Sequence, residues 1–187
     1  VHILVDKRVR EYDGSQLSSL WAFRTFNLQG DSIVTFRGPC RVALNDLVDV
    51  KDQLGGASIF SPDMQHFIVE HFDPDLEKAV YRQRLLMAIT RDLLAGMIPL
   101  DVRRDGDDLY CGDRKLSVSI ATVSPVSTLI HAGLNITTKG VSVPAIGLGE
   151  LGLDDARVWE LAQSICRGYA GEVRSVALAR CKVRGVR

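Results

Sequence analysis

In "KLSVSIATVSPVSTLIHAGLNITTKG", residues 115–140, a single lysine leads a β-branched run that ends in His131 and Asn135. A cation held at a strand end, with its tip in a pocket, can stabilise the negative charge that develops on a reacting carbonyl oxygen. The same lysine after the "GDR" turn can equally be a solvated surface residue. A second stretch, "GDSIVTFRGPCRV" at residues 30–42, interrupts two β-branched segments with Gly38 and Pro39. Such a turn can bring backbone amides close to a small ligand. Beside it, Arg37 presents a planar fork suited to a carboxylate or phosphate, although an ordinary hairpin explains the pattern as well. His66, Glu70 and His71 are the nearest approach to a metal-ligand cluster. On a strand the first two share a face and His71 points away, so no metal site is expected. The chain has no Walker loop, no GxGxxG, no GxSxG elbow and no HExxH.

These groups need a sheet to hold them. "VHILVDKRVR" reads as a short strand, and residues 14–26 as a helix with Ser15 as N-cap and Leu17, Leu20, Trp21 and Phe26 on its apolar side. Residues 30–44 read as a hairpin or as one strand bent at its middle. "QHFIVEHF" alternates as a strand, with Phe67, Val69 and His71 on one face and His66, Ile68, Glu70 and Phe72 on the other. The spacing of Leu76, Val80, Leu86, Leu93 and Met97 predicts a helix from Pro74 to Gly96, with Asp73 as N-cap and Pro74 at the first position. The turns "DGDD" and "GDR" separate short antiparallel strands, and "TLIHAGLNI" supplies another. A last amphipathic helix starts at Asp154 or Asp155 and carries Val158, Leu161, Ile165 and Tyr169; a second helical segment spans Glu172 to Arg180. The order predicts a single α+β domain, residues 1–187, with helices laid on a largely antiparallel or mixed sheet.

Bulk composition narrows the function class. Of 187 residues, 46% are apolar, enough for a real core, and 23 basic side chains offset 23 acidic ones. No general field therefore draws nucleic acid or an anionic membrane, and the basic "RCKVRGVR" at the C-terminus reads as a solvated tail or a local patch. Cys40, Cys111, Cys166 and Cys181 lack CxxC spacing, which excludes a zinc ribbon and a thioredoxin motif. With no signal-peptide pattern and no apolar run of membrane length, the expectation is a cytoplasmic protein with reduced thiols.

Taken together, "VTFRGPCRV" and "KLSVSIATVSPVSTLIHAGLNI" resemble two motifs of lipoate octanoyltransferases, in the same order. The broader group is the biotin and lipoate protein ligase fold, related to class II aminoacyl-tRNA synthetases, and "GLNI" is similar to its Gly-x-Asn strand end. Across its length the chain most resembles a family of short proteins classed only as a domain of unknown function and thought to share that fold. The resemblance implies that Lys115 contacts an acyl carbonyl or adenylate. It also implies that His131 and Asn135 line the pocket, and that Thr35, Phe36, Arg37, Gly38, Pro39 and Cys40 belong to a substrate-binding hairpin. ATP and Mg are the implied cofactors, a small carboxylic acid or nucleotide the implied ligand, and an acyl-carrier-type protein the implied acceptor. Departures matter too: Ala145 in "VPAIG" stands where octanoyltransferases carry their cysteine nucleophile, which removes a thioester there and favours an acyl-adenylate ligase. Cys40 replaces a glycine and is a relocated nucleophile or a small buried apolar residue. Gly30 and Asp31 replace a glycine pair, and Asp31 would repel a phosphate unless a metal or Arg37 compensates. A pocket-retaining binding module without catalysis is the alternative.

Overall fold

The computed structural model describes residues 1–56, 58–141 and 143–186. In chain order the elements are β1 (His2–Val9), α1 (Trp21–Phe26), β2 (Ser32–Val42), a 3-10 turn (Leu44–Asp46), α2 (Val50–Leu54), β3 (Ile59–His71), α3 (Leu76–Ala95), β4 (Arg103–Asp105), β5 (Asp108–Cys111), β6 (Arg114–Lys115), β7 (Ser117–Val123), β8 (Thr128–Thr137) and α4 (Asp155–Ala179). The main sheet runs β1-β2-β3-β8-β7, and β4-β5-β6 form a small second sheet. Among the strands of the described residues, β1 and β2 pair in parallel and the other pairs are antiparallel, so the main sheet is mixed but largely antiparallel.

Strand alternation explains why the central strands are apolar on both sides. Ile33, Phe67, Val69, Ile130, Ala132 and Leu134 face α3 and α4, which contribute Leu86, Met87, Leu94, Val158, Leu161, Ile165 and Tyr169. On the opposite face Val34, Phe36, Met64 and Ile68 pack under Tyr12, Ala22 and Leu47 from the connecting segments.

Three local expectations are corrected. The segment from Ser15 forms turns rather than a helix, and α1 starts only at Trp21. Asp13 accepts from both the Ser15 N–H and its hydroxyl, closing a local turn, and Leu20 takes a left-handed φ of 65°. The Leu20 N–H donates to buried Glu70 at 2.8 Å, which holds the chain in that non-helical conformation. In α3 the N-cap is Asp75, which accepts from the Lys78 N–H, whereas Asp73 pairs with Lys78 Nζ. Its inward face is Ala79, Gln83, Leu86, Met87, Thr90 and Leu94, so only Leu86 of the predicted stripe is fully buried. Gln83 can sit there because it donates to Asp107 and to Ser119, and Thr90 because its hydroxyl donates to the Leu86 carbonyl. Finally, α4 is one continuous helix capped by Asp154, with no break before Glu172.

β2 runs through Gly38 and Pro39 as one strand, with a register irregularity against β3 between Gly38 and Cys40. A Cβ at Gly38 would stand 1.9 Å from the Arg10 carbonyl oxygen, so the glycine is required by close backbone approach.

Candidate functional site

The open face of the sheet carries a cavity of about 630 Å³. Its walls come from β7 and β8, the β4-β5-β6 hairpins, segments 46–52 and 58–61, Tyr12 and the chain around Pro144. Lys115, Cys40, His131 and Asn135 all border it. So does Ala145, which pairs with Lys115: the Lys115 N–H donates to the Pro144 carbonyl at 2.9 Å, and the Ile146 N–H donates to the Lys115 carbonyl at 3.0 Å. Asn135 is tied to the same strand end, its N–H donating to the Leu116 carbonyl and its Nδ2 lying 3.4 Å from the Lys115 carbonyl.

The Lys115 side chain is one-third exposed and its Nζ lies 2.8 Å from Asp108 Oδ2 across the β5–β6 turn. Burial raises the Asp108 pKa, and the Lys115 ammonium partly offsets that rise. A short hairpin thus fixes the amine on the cavity wall. The lining is acidic: Asp46, Asp49, Asp52, Asp107, Asp108 and Asp113 stand against Lys51 and Lys115, four more negative than positive charges.

Deeper in, His66 and His131 form a buried pair, with His66 Nδ1 3.1 Å from His131 Nε2 and His66 Nε2 3.1 Å from the Gly38 carbonyl. Tyr12 stacks on His131 with ring centroids 3.6 Å apart and planes 12° apart. Burial pushes His66 down to about 4 against the pull of the Gly38 and Pro39 carbonyls, and burial with the neighbouring His66 lowers His131 well below its ordinary range. Burial likewise raises the Tyr12 phenol. Cys40 has no exposed surface, and burial pushes its thiol up to about 12, which disfavours a reactive thiolate there at neutral pH. Burial speaks for Cys40 as a small buried apolar residue and against it as a relocated nucleophile.

The rest of the expected hairpin set does not border the cavity. Arg37 lies on the helix face of β2, where its Nε and Nη2 bond Asp63 at 3.0 and 2.6 Å and its Nη1 bonds Asp155 at 2.7 Å. Its fork clamps β2 and β3 to the start of α4 and is not offered to a ligand. The strand period puts it there: odd-numbered residues before Gly38 face the helices. Thr35 shares that face, its hydroxyl donating to the His66 carbonyl and accepting from Gln65 Nε2. Phe36 is core, stacked against His66, while Gly38 and Pro39 contribute carbonyls to His66 and to the Tyr12 N–H. Asp31 also leaves the site: it accepts from His71 Nδ1 and the Phe72 N–H, each at 2.8 Å, and His71 Nε2 meets the Tyr169 hydroxyl at 2.9 Å. His71 holds the Asp31 carboxyl down at about 2 despite partial burial.

Tyr12 and Asp108 also border the cavity, and His66 stands behind His131, positions that the two motifs do not reveal. "DDLYCGDRK" contains the signal for Asp108, since a tight turn brings its ends together; Tyr12 and His66 become neighbours of His131 only through the sheet.

The domain of unknown function (DUF366) family model matches residues 1–184. An uncharacterized protein of Methanocaldococcus jannaschii is 41% identical over 172 residues, which span 89% of this chain and 76% of that protein. A solved protein of unknown function from Pyrococcus horikoshi superposes with a TM-score of 0.92 at 43% identity, covering 100% of this chain and 99% of its own. The biotin protein ligase of Aquifex aeolicus, solved with biotin and ATP, superposes with a TM-score of 0.64 at 14% identity, over 92% of this chain and 70% of the ligase. The fold is therefore similar to that of biotin and lipoate protein ligases.

Proposed function

We propose that this chain, which belongs to the domain of unknown function (DUF366) family, binds a small carboxylic acid or its activated acyl form and handles it as an acyl transferase or ligase of the biotin/lipoate type. The observation that carries the reading is the fixed Lys115 amine on the wall of a cavity large enough for such a ligand, on a fold similar to that of ligases. Lys115 stabilises the charge that grows on the carbonyl oxygen as a nucleophile adds, and Asp108 positions the amine so that little reorganisation is needed.

ATP and Mg are the cofactors that the fold family implies. The residues present do not fit a nucleoside triphosphate, because the lining carries four more negative than positive charges and no arginine. Among the described residues, no three His, Cys, Asp or Glu side chains converge to hold a metal. The acyl-adenylate route is therefore not part of the reading, and the acyl group arrives already activated. With Ala145 beside Lys115 and Cys40 protonated, the acyl group passes directly to an amine of the acceptor, which would be an acyl-carrier-type protein. The acceptor's neutral amine adds to the thioester carbonyl to form the C–N bond, the C–S bond then breaks as the oxyanion collapses, and the departing thiolate takes the proton that the amine nitrogen gives up.

The test follows thiol release from acyl thioesters of octanoic acid, lipoic acid and biotin with an amine acceptor, beside a parallel assay of pyrophosphate release from ATP and Mg. Lys115-dependent thiol release without pyrophosphate is expected. Pyrophosphate release would restore the adenylate route, and silence in both assays would overturn acyl chemistry. Ala145 supports a second reading, a binding module that keeps the pocket without turnover; melting-temperature shifts with acids in the absence of turnover would favour it.

A further inference from the structure

The tautomers of the buried histidine pair follow from their partners. The Gly38 carbonyl can only accept, so His66 Nε2 carries its proton. Both rings are neutral because both are buried without a counter-charge. His66 Nδ1 then accepts, and the proton between the rings sits on His131 Nε2. His131 Nδ1 is left as a bare acceptor. It has no partner among the described residues, although His131 is only 3% exposed, and it is not among the sealed unpaired atoms, which are Ser32 Oγ, Gln65 Oε1 and Arg82 Nη1. The ring borders the cavity, so the lone pair is open to it.

Asn135, beside Lys115, lies four residues along the same face of β8, roughly 13 Å from His131. Between them Met64 and Val118 cover Gly133 and form the floor: a Cβ on that glycine would stand 2.8 Å from Met64 Cε and 3.4 Å from Val118 Cγ2, so only a glycine leaves them room. An extended acid with its carbonyl at Lys115 would lie over Met64 and Val118 and reach His131 with its tail, since all four residues line one cavity.

Resting on the acid-binding reading above, we propose that His131 Nδ1, held bare by His66 and the Gly38 carbonyl, makes the cavity select acids whose tail carries an N–H or O–H donor over acids with a plain hydrocarbon tail. An unmet acceptor disfavours an alkyl tail, and a donor satisfies it. His131 is the specificity-determining residue and His66 the positioning one.

Titration calorimetry with 6-ureidohexanoic acid and octanoic acid, similar in length, tests the proposal. The wild type is expected to bind the ureido acid at least tenfold more tightly. His131→Phe is expected to abolish that ratio, and Lys115→Ala to weaken both acids together. Equal binding, or tighter octanoate binding, would overturn the proposal while leaving the acid reading intact. A Lys115→Ala variant that binds both as well as wild type overturns the acid reading instead, and failure of both acids to bind wild type overturns the two together. NMR of the wild type labelled with nitrogen-15 histidine needs no variant: both rings should be neutral with the proton on Nε2, and a proton on His131 Nδ1 contradicts the relay.

Discussion

Cys40 borders the cavity beside reactive-looking neighbours, yet its thiol is sealed, whereas Cys181 is exposed. Iodoacetamide at pH 8 is expected to label Cys181 and spare Cys40, Cys111 and Cys166, read by peptide mass spectrometry; rapid labelling of Cys40 would reopen it as a nucleophile. The histidine pair makes a second prediction. A histidine whose folded pKa is depressed contributes stability that is fully present above its unfolded value and lost as pH falls towards the folded one. For His66 that window runs from 6.5 down to about 4, a shift worth on the order of 3 kcal/mol. Denaturant unfolding should weaken steeply between these pH values, and a flat profile would contradict the neutral pair. The sequence made Lys115, His131 and Asn135 legible because they share short motifs. It hid Tyr12 and His66, whose role comes from contacts made across the sheet.

Gly38 and Arg37 separate structural from ligand-facing roles at the scale of the elements. Gly38→Ala forces a methyl into the Arg10 carbonyl and should destabilise the fold by about 3 kcal/mol or more in chemical denaturation; a neutral effect would disprove the close approach. Arg37→Ala removes the clamp from β2 to Asp63 and Asp155. It should cost about 1 to 3 kcal/mol of stability and leave acid affinity within twofold, whereas a tenfold loss of affinity would return Arg37 to the site. Most strands and the final helix were legible from alternation, turn signals and the 158–169 stripe. The Ser15 helix failed because Glu70, fifty residues away, captures the Leu20 N–H, and no local pattern reports such a contact. The face of β2 that carries Arg37 was available from period two, but a motif read as a block hides the alternation inside it.

At the scale of the whole molecule, a net charge of zero conceals an acidic cavity, since the charges balance in total but not in place. That asymmetry is the ground for proposing an acyl transfer without a triphosphate on a fold similar to that of a ligase solved with ATP. Among the described residues no helix is long and apolar enough to cross a membrane. The central claim is that the Lys115 amine meets the carboxyl or acyl carbonyl of a ligand in this cavity. Its most direct measurement is calorimetric titration of wild type and Lys115→Met with 6-ureidohexanoic acid and the matched alcohol, 6-ureidohexanol. The wild type should prefer the acid at least tenfold, about 1.4 kcal/mol, and the variant should show no preference. A preference that survives the loss of the amine would contradict the account.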